Sequence, residues 1–363
     1  MSSNPERHFL WYLPNFVEAG HRGDTEEVDP WAPGTLDRQV ELAHLVEEGG
    51  WQGALLGTSW GRPDTFTVAT ALAARTRTFN PLIAIRPGYW HPANFASAAA
   101  TLDRLSEGRV RVNVVSGHDN GAAYGDTQDD RTARYARTKE FMRLVRRLWT
   151  EERVDFRGEH YTVEGSSVAP RPLATDGRPS PLLYFGGASP EAEAVAATEA
   201  DVQLFWGEEL AGVEERIARL RDLQDRLGRD LPPLQFGLRI TTLVRDTTEE
   251  AWRDAEAKVA TMAAQHRTQE HAASGAVGQQ RLRDLAARGD VLDSCLYTAP
   301  ARVGGGGAGS TWLVGSADDV ASALERYAAL GVTHFVLSDT PYRTEVTRVG
   351  HALLPRLREG ALV

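Results

Sequence analysis

The sequence predicts a (β/α)8 (TIM) barrel with insertion segments, and two observations carry that expectation. Eight short apolar runs recur along the 363 residues, with helix-forming stretches in the intervals. Most of the runs are unbroken rather than alternating, as suits strands buried on both faces of a parallel sheet. An open doubly wound sheet is the competing architecture; the count of eight favours closure.

The strands are expected at Phe9–Leu13, Gly53–Leu56, Leu82–Arg86, Arg111–Val115, Leu182–Phe185, Val202–Phe205, Gln235–Thr241 and His334–Leu337. The first helix, Leu36–Glu48, sets Leu36, Val40, Ala43 and Val46 at helical spacing and stops at Gly49-Gly50. Helices at 65–75, 94–105, 132–149, 191–199, 210–227, 248–264, 318–330 and 345–357 continue the alternation. Residues 154–163, VDFRGEHYTV, alternate like a small hairpin. No fixed-period repeat or Pro/Ser-rich linker divides the chain, so a single domain over 1–363 is expected. Residues 266–310, rich in Ala, Gly, Arg and Gln and ending in GGGGAGS, are expected to form a mobile lid.

Composition narrows the function classes. Fifty acidic against 40 basic residues give a net charge of −10, which argues against nucleic acid as a main partner. Cys295 is the only cysteine, and the ten histidines show no His-x-His or His-x-x-x-His pair, so no metal site is expected. The apolar run near the N-terminus is too short for a signal peptide, and no run is long enough to span a membrane. A cytoplasmic protein acting on a small molecule is the expectation.

In a barrel, function gathers where the strands end. Those positions carry Asn15, Ser59, Trp60, Arg86, Ser116, His118, Gly186–Ser189, Trp206, Arg239, Thr241, Ser338 and Asp339. The set lacks a nucleophile–His–acid arrangement and suits a flat anionic organic cofactor better than hydrolysis. In PLLYFGGASP (181–190) an apolar strand runs through Gly-Gly into a helix that Ser189 can cap. Backbone N–H groups at such a turn suit a phosphate, although the same turn also serves merely to reverse the chain. Arg239 interrupts FGLRITTLV, and an inward arginine there needs either a structural partner or a bound anion. Trp206 fits either a barrel plug or a pocket wall, and Tyr135 either packing or a phosphate contact.

These motifs stand in a familiar order. The chain resembles the bacterial-luciferase-like flavin monooxygenases, and most closely their alkanesulfonate monooxygenase branch. The shared pieces are FLWYLPN, GHRGDTEE (20–27), AIRPG (84–88), AATLDRLSEGRVRVNVVSG (99–117), ARYARTKEF (133–141), VDFRGEHYTVEG (154–165) and LLYFGGAS (182–189). FWGEEL (205–210), FGLRITTLVRDTTEEAW (236–252), VGQQR (277–281) and GGAG with LVG (306–315) complete them. The resemblance implies an FMN-binding barrel that uses reduced FMN, delivered by a separate NAD(P)H-dependent flavin reductase, together with O2. It implies that Gly187, Ala188, Ser189 and Tyr135 hold the FMN phosphate, with Asn113, Ser116 and Trp206 around the flavin. Arg239 falls on the family's active-site arginine, with Thr241 and Asp339 shaping the substrate end. A homodimer or homotetramer is implied as well.

The chain departs from the sulfonate branch where substrate binds. Gly61–Arg62 stand near that branch's cysteine, Thr241 in place of its histidine, and Asp339 in the motif where it carries a tyrosine. Gly305 stands in place of its lid arginine, with Arg302 nearby. RPGYW (86–90) and NVVSG are also similar to the dimethyl-sulfone branch, which handles a neutral substrate. The expectation is a two-component FMNH2-dependent monooxygenase of a small organosulfur compound. A deazaflavin-dependent oxidoreductase of the same fold and a non-catalytic flavin-binding protein are the alternatives.

Overall fold

The computed structural model describes residues 6–13, 35–58, 61–116, 121–126, 130–175, 177–266, 277–303 and 311–359. The first half contains β1 (His8–Leu13), α1 (Thr35–Glu48), β2 (Gly53–Leu56), α2 (Thr65–Ala73), β3 (Asn80–Ile85) and α3 (Pro92–Leu105). Then come β4 (Arg111–Val114), α4 (Arg131–Thr150), the hairpin β5 (Val154–Arg157) and β6 (Thr162–Ser166), β7 (Leu182–Gly186) and α5 (Pro190–Glu199). β8 (Val202–Trp206), α6 (Leu210–Arg226), β9 (Gln235–Arg245), α7 (Thr248–His266) and α8 (Val277–Arg288) follow. The chain continues with β10 (Val291–Leu292), β11 (Leu296–Tyr297), α9 (Pro300–Val303), β12 (Trp312–Ser316), α10 (Ala317–Ala329), β13 (Val332–Ser338) and α11 (Tyr342–Glu359).

Strand pairing runs β9-β13-β1-β2-β3-β4-β7-β8 and returns from β8 to β9, closing an eight-stranded parallel barrel. These are the eight strands expected from the sequence. Most of their residues are buried, and all of them are in GALL of β2 and in RVNV of β4, where Arg111 and Asn113 break the apolar run. Three further short strands were not expected. β12 adds in parallel to residues 241–245 of β9, and β11 and β10 extend it antiparallel. An eleven-residue β9 makes this possible, because its first half pairs with β13 and its second half with β12.

The chain forms two compact units. Unit one comprises residues 1–54, 204–219 and 235–363; unit two comprises 55–203 and 220–234. In unit one, Ala251 and Ala255 of α7 pack in one cluster with Leu243 of β9, Tyr297 of β11 and Trp312 of β12. Ser316 and Asp319 close a capping box at the start of α10, with a serine–acid spacing visible in the sequence. In unit two, Asp64 and Asp130 cap α2 and α4 through their carboxylates. Trp149 of α4 is fully buried and donates its indole N–H to Ala96 of α3.

The segment expected as a lid falls partly outside the described residues, at 267–276 and 304–310. Its described part, 277–303, holds α8, β10, β11 and α9.

Candidate functional site

In unit two the chain leaves β7 through Gly186-Gly187-Ala188-Ser189. Gly187 adopts φ +146°, and a Cβ there would stand 2.6 Å from the Cβ of Ala192 and 3.7 Å from the Tyr135 hydroxyl. A side chain is thus excluded at the spot where the Tyr135 hydroxyl overlooks the turn. Ser189 is the N-cap of α5, and its Oγ accepts the Ala192 N–H at 3.2 Å. Its hydroxyl also holds the Glu191 carboxyl below the usual carboxylate range. The buried amide of Gln203 donates to the Gly187 carbonyl at 3.1 Å and so fixes the orientation of that peptide.

The neighbouring strand β4 carries Asn113, whose backbone is in register with Ala84 and Tyr184. Its side chain is buried, and Oδ1 accepts no hydrogen bond among the described residues. A buried acceptor in that condition costs free energy unless something fills it. Ser116, just past the strand, shares a 2.6 Å hydrogen bond with Thr138 of α4. α4 also anchors the hairpin: the Glu140 carboxylate collects the backbone N–H groups of Glu159, His160 and Tyr161 at 2.7, 2.9 and 3.2 Å.

In unit one the Arg239 guanidinium lies 4.1 Å above the ring of Tyr12 on β1. Thr241, fully buried, faces Ser338 with hydroxyl oxygens 3.4 Å apart. Asp339 is placed in a buried ion network. Its Oδ1 accepts from Lys258 at 2.9 Å and from the Thr340 N–H at 2.8 Å, and Arg245 lies 3.6 Å from Oδ2. Glu345 lies 3.3 Å from the same arginine, and burial, reinforced by Asp339, pushes its carboxyl up to about 7.

Trp206, at the end of β8, packs on α8: a Cβ on Gly278 would meet the indole at 3.4 Å. Glu208, buried two residues later, pairs with Arg216 at 2.7 Å and with Arg281 of α8 at 2.5 Å. The motifs FWGEEL and VGQQR, distant in sequence, therefore meet through these two contacts. Arg302 bonds the Ala286 carbonyl at 2.5 Å and pairs with Asp290.

Among the expected site residues, Asn113, Ser116, Tyr135 and Gly187–Ser189 lie together in unit two. Arg239 and Thr241 lie in unit one inside β9, which runs on to Arg245 past the expected end at Thr241, with Thr241 level with Ser338 at the end of β13. Asn15, Ser59, Trp60, His118 and the 20–27 motif lie outside the described residues. Four residues escaped sequence reasoning: Tyr12, Gln203, Glu208 and Lys258. Two signals were present. Gln203 is the polar break in the apolar run VQLF, and Lys258 is one of just two lysines in an arginine-rich chain.

A model of the luciferase-like monooxygenases matches residues 8–334. The chain belongs to the luciferase-like monooxygenases. Solved structures agree with this luciferase-like monooxygenase at the level of fold. A riboflavin lyase, RcaE, solved with modified FMN and its substrate riboflavin, is 19% identical, with a TM-score of 0.76 over 99% of this chain and 93% of that one. EDTA monooxygenase, EmoA, from Chelativorans sp. BNC1 is 15% identical, with a TM-score of 0.76 over 99% and 95% of the two chains. An F420-dependent secondary alcohol dehydrogenase, solved with an F420-acetone adduct, is 15% identical, with a TM-score of 0.67 over 98% and 100%. Among the described residues of this luciferase-like monooxygenase, no helix is long and apolar enough to cross a membrane.

Proposed function

We propose that the chain is the oxygenase component of a two-component system. It would take reduced FMN from a separate NAD(P)H-dependent flavin reductase and oxidise a small organic molecule, with organosulfur compounds the favoured class. The turn at Gly187 carries this reading: a left-handed glycine with no room for a Cβ, backed by a capped helix and overlooked by a tyrosine hydroxyl. Backbone N–H groups at a helix N-terminus suit a phosphate monoester. The orphan Oδ1 of Asn113 fits as an acceptor for an N–H of the flavin ring. Structures of this fold are described with a modified FMN and with an F420 adduct, and both cofactors carry a phosphate on the side chain of the ring.

Reduced FMN would supply two electrons to O2, one oxygen atom entering the substrate and the other leaving as water. The protein's own task is to hold, orient and keep dry. Gly187–Ser189 and Tyr135 would hold the phosphate, and Asn113 and Ser116 would orient the ring. Arg239, fixed over the Tyr12 face, offers a preorganised positive charge for an anionic group, with Thr241 beside it in the role the sulfonate branch gives to histidine. Asp339 would act from behind, keeping Lys258 and the end of β13 in place. Trp206 would exclude water, its ring backed by α8. A homodimer or homotetramer in the cytoplasm completes the proposal; sedimentation measures the assembly.

The test supplies FMNH2, a reductase, 18O2 and a mixed panel of sulfonates, sulfones and sulfinates, and reads the products by mass spectrometry. One labelled oxygen per product is expected. Arg239→Ala should lose at least ~100-fold in product, in line with the loss of one electrostatic contact to developing charge, and keep FMN affinity. Hydrogen peroxide as the sole product over the whole panel would point to a flavin carrier. Anaerobic turnover with reduced deazaflavin, and none with FMNH2 and O2, would point to hydride transfer.

A further inference from the structure

At the ends of β2 and β3, wholly inside unit two, lies a cavity of about 240 Å³. Its walls are aromatic: Phe66, Tyr89, Trp90 and Tyr124 line it, with Arg86 and Asp64 as the charged groups. Tyr89 and Tyr124 stack with ring centres 4.1 Å apart, and Trp90 tilts against Phe66 at 5.6 Å. Tyr124 is 43% exposed, so an aromatic face stands at the surface where core packing does not require one. Asp64 directs its Oδ1 to the Thr67 N–H and hydroxyl at 2.8 and 2.7 Å, capping α2.

The wall that carries Arg86, Tyr89 and Trp90 is held from behind. Arg137 grips the Asp126 carboxylate with two nitrogens at 2.8 and 2.7 Å, and that carboxylate lies against Gly88. The Tyr161 hydroxyl donates to the Pro87 carbonyl at 3.2 Å. A pocket whose side chains are already placed binds without an ordering cost. A dry cavity of about 150 Å³ is enough for benzene, so this one accommodates a ring and a substituent.

We propose that this cavity recognises the substrate, and that the substrate is a planar aromatic ring bearing an acidic group. Phe66, Tyr89, Trp90 and Tyr124 hold the ring and Arg86 faces the acid. The proposal rests on the oxygenase reading for what then happens to the ligand, and stands apart from it for the binding itself.

Flavin-free protein is titrated calorimetrically with benzenesulfonate, pentane-1-sulfonate and methyl phenyl sulfone, and FMN is titrated separately. Benzenesulfonate should bind at least tenfold tighter than either of the others. Tyr124→Leu, at an exposed position that leaves the core intact, and Trp90→Leu should each weaken it fivefold or more with FMN affinity unchanged. Arg86→Met should bring benzenesulfonate down to the level of the sulfone. Equal affinity for the aliphatic sulfonate, or full affinity in both aromatic variants, overturns the proposal. Loss of FMN binding with aryl binding intact would instead count against the oxygenase reading alone.

Discussion

Gly187 shows how much can hang on one missing atom. At φ +146° an L side chain is strained, and its Cβ would press to 2.6 Å from Ala192. Gly187→Ala must therefore move either the turn or α5, and its effect falls on the tail of a bound nucleotide more than on the ring. FMN affinity should drop about tenfold or more, while riboflavin, which lacks the phosphate, should change little; fluorescence titration with both ligands measures the ratio. An equal loss for both would show that the turn supports the barrel and not a phosphate. Arg239 makes the same point about placement. The sequence marked it as an arginine in need of a partner, and one partner is the Tyr12 ring, which lies on a different strand.

Among the elements, α8 is the least expected. Its sequence, VGQQRLRDLAAR, sits in a long, glycine-ended stretch rich in Ala, Gly, Arg and Gln, where a mobile lid is expected. Two contacts in unit one tie it down: Gly278 against Trp206, and Arg281 on the buried Glu208. Glu208 serves Arg216 as well, so Glu208→Ala takes one carboxylate away from two guanidinium groups, of which that of Arg216 is 2% exposed. Breaking a buried pair by removing one partner costs about 3–5 kcal/mol. A loss of stability of that order, read as a lower Tm, is expected, together with faster amide hydrogen exchange across 277–288. Unchanged exchange in α8 would mean that the Arg281 contact does not hold the helix.

For the molecule as a whole, the network around Arg245 makes stability depend on pH. Glu345 titrates near 4.5 when exposed, and burial in the folded chain raises it to about 7; Asp339 adds to that shift while Arg245, Arg348 and Lys258 oppose it. Between those values the folded state binds the proton that the unfolded state has released. The contribution is therefore fully present below about pH 4.5 and is lost as pH rises through about 7. Thermal melts of the wild type and Glu345→Gln across that range should show the wild type losing stability relative to the variant, with the difference level above pH 7. Parallel melting curves would show that the carboxyl stays ionised in the fold.

Much of this architecture was written locally. Eight largely apolar runs are buried because most of their side chains gain by leaving water, and their number and alternation with helices were enough to give the closed barrel. The Gly-Gly turn and its serine cap were legible for the same reason, since backbone geometry and capping depend on neighbours in the chain. β10, β11 and β12 were not legible: two are only two residues long, and β12 becomes a strand because the far half of β9 is there to pair with it. The ion network of Asp339, Lys258, Arg245 and Glu345 draws on β9, α7, the end of β13 and α11. Sequence alone determined the eight barrel strands, most of the helices between them and the Gly-Gly turn after β7, because those properties follow from residues a few positions apart. Only the tertiary structure decided which charges meet and which aromatic rings enclose a cavity. Those meetings depend on distances in space between segments tens to hundreds of residues apart, and no local pattern encodes them.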